Sequence, residues 1–340
     1  MPTTVHAYAA PEASAAFEPF EYELPDLPAG EVDIAVETCG ICHSDLSMLD
    51  NEWGISAYPF VGGHEVSGRV AAVGERVPEG HVSVGDVVGL GWFSASCMHC
   101  DQCMGGHHNR CVNDPGQTIV HRHGGFADRV RAHWGWTTPI PDGLDPLKVG
   151  PMFCGGITAF TPFEQHGVTA LSRVGVIGIG GLGHLAVMFG RGFGAEVTAF
   201  STTPDKAQEA RELGADRFVN VKEDGALEAL AGRFDLIINT TNARLDWDAY
   251  VNTLAPGGVL HTVGVVADTF GVSNSFPMIQ GQKSLAASPL GGVATTRQML
   301  DFCARQGIEP VTQAFPMDRI NDAFETLRSG KPRYRLVLTR

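Results

Sequence analysis

From Leu171 onward, short apolar runs alternate with helical patterns, and that alternation leaves few architectures open. Strands are expected at Arg173–Gly178, Glu196–Ser201, Arg217–Val221, Phe234–Asn239 and Val259–Val263. Helices are expected between them at Leu182–Gly192, Pro204–Leu213 and Gly225–Ala231. Strands joined by helical crossovers run parallel, and the crossovers are right-handed. The expected fold class is therefore α/β, with a doubly wound parallel sheet of the nucleotide-binding kind.

Gly178-Ile179-Gly180-Gly181-Leu182-Gly183 lies where the first of these strands ends and a helix begins. The first glycine permits a tight turn, the second lets backbone approach a pyrophosphate, and the last lets the helix pack on the sheet. The anion then faces unpaired N–H groups and the positive end of the helix dipole. With 42 glycines among 340 residues, the motif alone is weak, and a structural turn is the alternative. The strand before it and the βαβ pattern after it favour the cofactor reading. An NAD site places a carboxylate at the end of the second strand, which would repel a 2′-phosphate. Here that strand ends in Ser201-Thr202-Thr203, with Lys206 in the next turn. Hydroxyls and an ammonium suit a phosphate, so NADP(H) is expected, against the alternative of an ordinary loop leading into a helix.

The N-terminal half differs. Val32, Ile34 and Val36 alternate with Asp33, Ala35 and Glu37, the period of a half-buried strand. Further strand-like runs are Glu65–Val73, Asp86–Gly91 and Phe126–Ala132. Beyond Pro289 come two amphipathic helices, Thr295–Gln306 and Met317–Ser329, and a strand at Tyr334–Leu338. A chain of this length suits two domains. Its 38 acidic against 24 basic residues give a net charge of −14, which repels phosphate backbones and anionic lipid heads. Nucleic-acid and membrane partners are not expected. The most apolar stretch, Val174–Gly190, is interrupted by His184 and glycines and falls short of the roughly 18 residues a span needs. No secretion signal is legible, so a cytoplasmic protein is expected. In that compartment clustered cysteines are more often metal ligands than disulfides.

Cys97, Cys100, Cys103 and Cys111 form C-x2-C-x2-C-x7-C. Four thiolates so close can complete a tetrahedral zinc shell, the arrangement of a structural site. An iron–sulfur cluster is the rival. A second, dispersed set comprises Cys42, the His64-Glu65 pair and Cys154. Two cysteines, one histidine and a nearby carboxylate match catalytic zinc, where three protein ligands leave a position open. A lone cysteine is otherwise a small core hydrophobe, the reading given to Cys39 and Cys303.

Taken together, CGICHSD, GGHEVSG, the four-cysteine segment, PMFCGGIT, GIGGLG, FSTTPDK and YRLVL occur in one order along essentially the whole chain. In this the sequence resembles the zinc-dependent medium-chain alcohol dehydrogenases, specifically the cinnamyl alcohol dehydrogenase-like aldehyde reductases. The resemblance implies a GroES-like β-rich catalytic domain over residues 1–150 holding both zincs, a Rossmann domain over 151–288, and a C-terminal return, 289–340, to the first domain, with the active site in the cleft. It implies that Cys42, His64 and Cys154 bind catalytic zinc, with Glu65 beside the metal and able to exchange with its water. It further implies that Ser44 accepts the alcohol proton, His43 approaches the cofactor pyrophosphate, Asp45 hydrogen-bonds a metal-site histidine, and Thr158 and Arg335 contact the cofactor. Dimers or tetramers are also implied. One departure stands out: the family commonly reads CHxDxH, and here the last position is Ser47.

The expected activity is zinc-assisted hydride transfer between NADP(H) and primary alcohols or aldehydes. Trp53, Tyr58, Trp92 and Phe93 flank the ligand segments and would line a pocket for bulky, aromatic or allylic substrates, with core packing the competing role. The competing functions are a zinc-free quinone or enoyl reductase and a non-catalytic NADPH- or zinc-binding protein.

Overall fold

The structure is a computed structural model that describes residues 2–266, 269–330 and 332–340. Its contacts divide the chain into two units, Met1–Ile157 with Gly291–Arg340, and Thr158–Leu290.

In the first unit β1 (Thr3–Ala9) and β2 (Glu18–Leu24) form an antiparallel pair. There follow β3 (Glu31–Ile41), α1 (His43–Leu49), β4 (Glu65–Val73), β5 (Val87–Leu90), β6 (Phe93–Ala95), α2 (Asp101–Met104), β7 (Gly116–Gln117), β8 (Arg129–His133) and β9 (Thr138–Pro139). Helix α3 (Gly155–Gln165) leads into the second unit, with β10 (Arg173–Ile177), α4 (Gly183–Gly192), β11 (Glu196–Ser201), α5 (Ala207–Leu213), β12 (Arg217–Asn220), β13 (Phe234–Asn239), α6 (Trp247–Thr253), β14 (Leu254–Thr262), α7 (Phe276–Gly281) and β15 (Ser284–Ala287). The first unit then resumes with α8 (Val293–Gln306), β16 (Thr312–Pro316), α9 (Ile320–Arg328) and β17 (Arg335–Thr339).

Strand β3 anchors the first unit, pairing antiparallel with β4, β8 and β17 in a seven-stranded sheet ordered β16-β17-β3-β4-β5-β9. Val32, Ile34 and Val36 join Val66, Val70, Val88 and Leu90 in one apolar core. Alternation in the sequence places Asp33 on the opposite, solvated face, yet it is 3% exposed. Its register partner on β8 is Arg131, which grips the carboxylate through two bonds of 2.6 and 3.1 Å. A buried charge persists only when paired in this way. The period of two therefore reported the apolar face and missed an ion pair closing the other.

The second unit holds a six-stranded parallel sheet ordered β12-β11-β10-β13-β14-β15. From the centre, β10 to β12 run to one side and β13 to β15 to the other. That reversal of strand order creates a switch point between β10 and β13, where ligands of open α/β sheets bind. The helix expected at Gly225–Ala231 is absent, replaced by a single 3-10 turn at Glu228–Leu230. Gly225 has φ +77°, a left-handed conformation that cannot begin an α-helix. The first turn expected of the Pro204 helix is likewise 3-10, and α5 proper starts at Ala207. Among the described residues no helix is long and apolar enough to cross a membrane.

Candidate metal and dinucleotide sites

The Sγ atoms of Cys97, Cys100, Cys103 and Cys111 all lie within 4.8 Å of one another. Local geometry achieves this: Met98 takes a left-handed φ of +61°, and Cys100 caps α2 so that Cys103 lies one turn into it. Backbone N–H groups then turn inward. Cys100 N donates to Cys97 Sγ at 3.3 Å and Cys97 N to Cys111 Sγ at 3.4 Å, with the Asn113 amide on Cys97 Sγ at 3.4 Å. Burial works against ionisation of Cys111, yet amides of Cys97, Asp114 and Asn113 hold its thiol down to about 6. Such N–H···S donors favour thiolate, the form that binds metal.

The dispersed set also converges. Cys42, His64, Glu65 and Cys154 present ligand atoms that all lie within 4.8 Å of one another. Cys42 lies between β3 and α1, His64 immediately precedes β4, Glu65 opens that strand, and Cys154 precedes α3. Asp45, fully buried, joins two of these segments. It accepts from the Cys42 amide at 2.9 Å and the Gly63 amide at 2.8 Å, and its Oδ1 meets His64 Nδ1 at 3.0 Å. An ionised carboxylate only accepts, so Nδ1 carries a proton and Nε2, 3.2 Å from Cys154 Sγ, is the nitrogen turned toward the thiols. Gly63 takes φ +95° to make the turn. Gly40 leaves room for Glu65, whose carboxylate a Cβ there would strike.

Electrostatics complete the fit to a cation. Cys42 and Cys154 stand 3.8 Å apart, and as a hydrogen-bonded pair the Cys42 thiol is held well below its usual range while Cys154 is pushed up. Burial pushes the Glu65 carboxyl up to about 7 against the opposing pull of Arg335. Arg335 donates to Glu65 Oε1, but Glu65 Oε2 is buried with no hydrogen-bond partner among the described residues. Two thiols, an imidazole nitrogen and a buried carboxylate oxygen brought together form a donor set suited to zinc.

Around this cluster the other candidate residues scatter. Ser44 Oγ lies 3.7 Å from Cys42 Sγ, and His43 is exposed as the first residue of α1. Ser47 is 5% exposed. Trp92 packs edge-on against His64 at 5.0 Å, and Trp53, 40% exposed, packs on Trp92 at 6.0 Å. Tyr58 instead donates its hydroxyl to the Leu49 carbonyl at 2.8 Å, and Phe93 packs on Trp136 at 5.2 Å. The structure thus joins two of the four aromatics to the cluster. The Glu65–Arg335 contact escaped the sequence reading, which assigned Arg335 to the cofactor; the lone arginine opening an otherwise apolar strand was the available signal.

In the second unit the glycine turn sits between β10 and α4. Gly178 has φ +85°, and a Cβ on Gly183 would strike the Gly178 carbonyl oxygen. Nothing lies within 4 Å of a Cβ built on Gly180, which leaves open space above the turn. Gly181 precedes α4 and is half-buried. Ser201 ends β11 and accepts from the Thr203 amide at 3.1 Å, while the Lys206 ammonium donates to the Ile179 carbonyl within the glycine turn. Thr202 is exposed beside them. Thr158 donates its hydroxyl to the Pro289 carbonyl at 3.2 Å.

Comparisons with known proteins follow these features. The family profile of the alcohol dehydrogenase GroES-like domain matches residues 28–142, and that of the zinc-binding dehydrogenase matches 181–305. The chain is 51% identical to the aldehyde reductase AdhA of Synechocystis over 98% of both chains. Among solved structures it is similar to a cinnamyl alcohol dehydrogenase of Sorghum bicolor, with 34% identity, TM-score 0.92, and coverage of 99% of this chain and 98% of that one. It is also similar to the Helicobacter pylori CAD complexed with NADP(H), with 28% identity, TM-score 0.89, and coverage of 100% and 99%. With two family profiles matched and half its residues shared with a full-length relative, the chain belongs to the zinc-dependent medium-chain alcohol dehydrogenases, in the cinnamyl alcohol dehydrogenase-like group.

Proposed function

We propose that the protein interconverts aldehydes and primary alcohols, preferring bulky, aromatic or allylic ones, with NADP(H) as its cofactor. The observation that carries this reading is the convergence of Cys42, His64 and Cys154 with Glu65 alongside. The names of its relatives, an aldehyde reductase, a cinnamyl alcohol dehydrogenase and an NADP(H) complex, support the substrate class and the phosphorylated cofactor. In this proposal residues 1–150 and 289–340 form the catalytic domain, and 151–288 the dinucleotide-binding domain. A cytoplasmic homo-oligomer, dimer or tetramer, completes it.

When bound, zinc polarises the substrate oxygen as a Lewis acid and the nicotinamide carries the hydride. Asp45 fixes the tautomer and angle of His64, so that Nε2 points into the donor set. Ser44, beside Cys42, transfers the proton to or from the substrate oxygen. A serine hydroxyl is no base near neutral pH, so the buried Ser47 does not continue the relay. His43, exposed on the same helix, assists the passage to solvent. Arg335 neutralises Glu65 and holds it at the cluster. Trp92 and Trp53 offer apolar surface to an aromatic or conjugated substrate next to His64. Gly178, Gly180, Gly181 and Gly183 would hold the cofactor phosphates, and Ser201, Thr202, Thr203 and Lys206 would hold the 2′-phosphate.

The test is an aldehyde panel with NADPH and NADH in parallel, alongside metal analysis of the same sample. NADPH-dependent reduction of benzaldehyde-like substrates with two zinc per chain is expected. Metal-replete protein that oxidises no NADPH on any aldehyde would leave only a binding role.

A further inference from the structure

One fully buried polar side chain on the far side of the switch point has no part in the reading above. Asn239 ends β13 and is 0% exposed. Its Oδ1 accepts from the Thr241 amide at 3.1 Å and the Thr241 hydroxyl at 3.0 Å. Its Nδ2 donates to the Thr241 carbonyl and to Thr262 Oγ1, both at 3.0 Å. Thr262 ends β14 and donates onward to the Gly264 carbonyl at 3.0 Å. The Asn239 backbone carbonyl accepts from Val263 N at 3.0 Å and Gly264 N at 3.3 Å. One side chain therefore ties the turn after β13 to the turn after β14.

The same turn abuts the phosphate loop. Thr240 donates to the carbonyls of Ile177 at 2.8 Å and Gly178 at 3.2 Å. A Cβ on Gly178 would strike the Thr241 methyl, and one on Gly264 would strike the Thr241 carbonyl oxygen. Thr241 is thus held between the first glycine of the phosphate turn and the end of β14. Packing alone does not explain an amide here, because burying one is costly unless every group is satisfied, and an apolar residue would fill the space. All of its groups are satisfied, by Thr241 on the loop after β13 and by Thr262 at the carboxyl end of β14.

We infer that Asn239 is a positioning residue for the nicotinamide-side half of the dinucleotide. The inference rests on the proposed NADP(H) role of this unit. Ser201 to Lys206 lie on the β11 side of the switch point and take the adenosine end. The remainder of the cofactor extends over the ends of β13 and β14, whose loops Asn239 locks in register with Gly178. Asn239 acts through Thr240, Thr241, Thr262 and Gly264 and needs no contact with the ligand itself.

The experiment titrates NADPH and adenosine 2′,5′-bisphosphate against wild-type protein, Asn239→Ala and Asn239→Asp, by fluorescence or calorimetry well below the unfolding temperature. Asn239→Ala is expected to weaken NADPH at least about tenfold and to leave the bisphosphate within about twofold. Asn239→Asp keeps the two acceptor bonds to Thr241 but sets a buried carboxylate oxygen against the Thr241 carbonyl, so its loss of NADPH affinity is expected to equal or exceed that of Asn239→Ala. If Asn239→Ala does not fold, Thr262→Val removes one link and is expected to weaken NADPH about threefold with the bisphosphate unchanged. Folded variants that bind NADPH as wild type does, or that lose both ligands by the same factor, would overturn the inference. A wild type that binds neither ligand would overturn the cofactor reading and this inference with it, a result distinct from wild type and variants binding NADPH equally.

Discussion

The first unit holds two sulfur-rich clusters made in opposite ways. The four cysteines of one lie within 15 residues, and turns, a short helix and inward N–H groups bring their sulfurs together. The ligands of the other come from segments ending at Cys42, opening at His64 and preceding Cys154, and they meet only where β3, β4 and the chain before α3 have come together. The local cluster is sulfur alone. The dispersed one is surrounded by Asp45, Ser44, Arg335 and Trp92, and it buries a Glu65 carboxylate oxygen that has no hydrogen-bond partner among the described residues. A cluster closed by its own turns needs its metal to stabilise a small lobe. One assembled by the sheet is held in place before metal arrives, so its polar neighbours are free to serve chemistry.

Removing one ligand from each cluster gives the sharpest contrast. His64→Ala is expected to lower aldehyde turnover by at least about ten-thousandfold and zinc from two to one per chain, with the segment 97–111 as protease-resistant as in wild type. Cys100→Ser is expected to lose one zinc as well, but to show its effect as protease sensitivity around residues 97–111. If Cys100→Ser instead abolished turnover in folded protein while His64→Ala remained active, the assignment of roles would be reversed. Ser44→Ala separates ligand from relay: a loss of about a hundred- to a thousandfold in turnover with both zincs retained is expected. Steady-state kinetics with metal analysis decides it, and undiminished turnover would remove Ser44 from the relay.

The second unit supplies a contrast outside both clusters. Burial, helped by His166, lowers the buried His261 to about 4, against about 6.5 for an unfolded histidine. Between those values the unfolded chain takes up a proton that the folded one refuses. Stability is therefore full above pH 6.5 and falls on acidification toward 4, by roughly 3 kcal/mol. Urea midpoints at pH 7 and 4.5 are expected to converge in His261→Gln; an unchanged pH slope would contradict this. The smallest effect is expected from Lys206→Ala, a rise of about tenfold in the NADPH KM with that for NADH unmoved. Equal loss with both cofactors would remove Lys206 from 2′-phosphate recognition.

Legibility in the sequence followed the same divide. The boundaries of β4, β11 and β13 could be read to the residue, because an apolar run bounded by turn residues is a local signal. The β15 edge was not, since Ser284-Leu285-Ala286-Ala287 is too short and too mixed to read as a strand without its neighbour β14. The four-cysteine segment announced itself by spacing. The meeting of Cys42, His64 and Cys154 has no period to read: their residue types suggest a catalytic zinc set, but spacing this wide shows nothing until the strands that carry them pack together. The Asn239 network was invisible, because an asparagine at the end of an apolar run reads as a turn residue until the loops it joins are seen in space.

An anomalous difference map at the zinc edge, on crystals of the metal-replete protein, tests the central claim most directly. Two peaks are predicted, one enclosed by Cys97, Cys100, Cys103 and Cys111 and the other bonded to Cys42, His64 and Cys154. A single peak at the four cysteines, with Cys42, His64 and Cys154 turned away from one another, would contradict it.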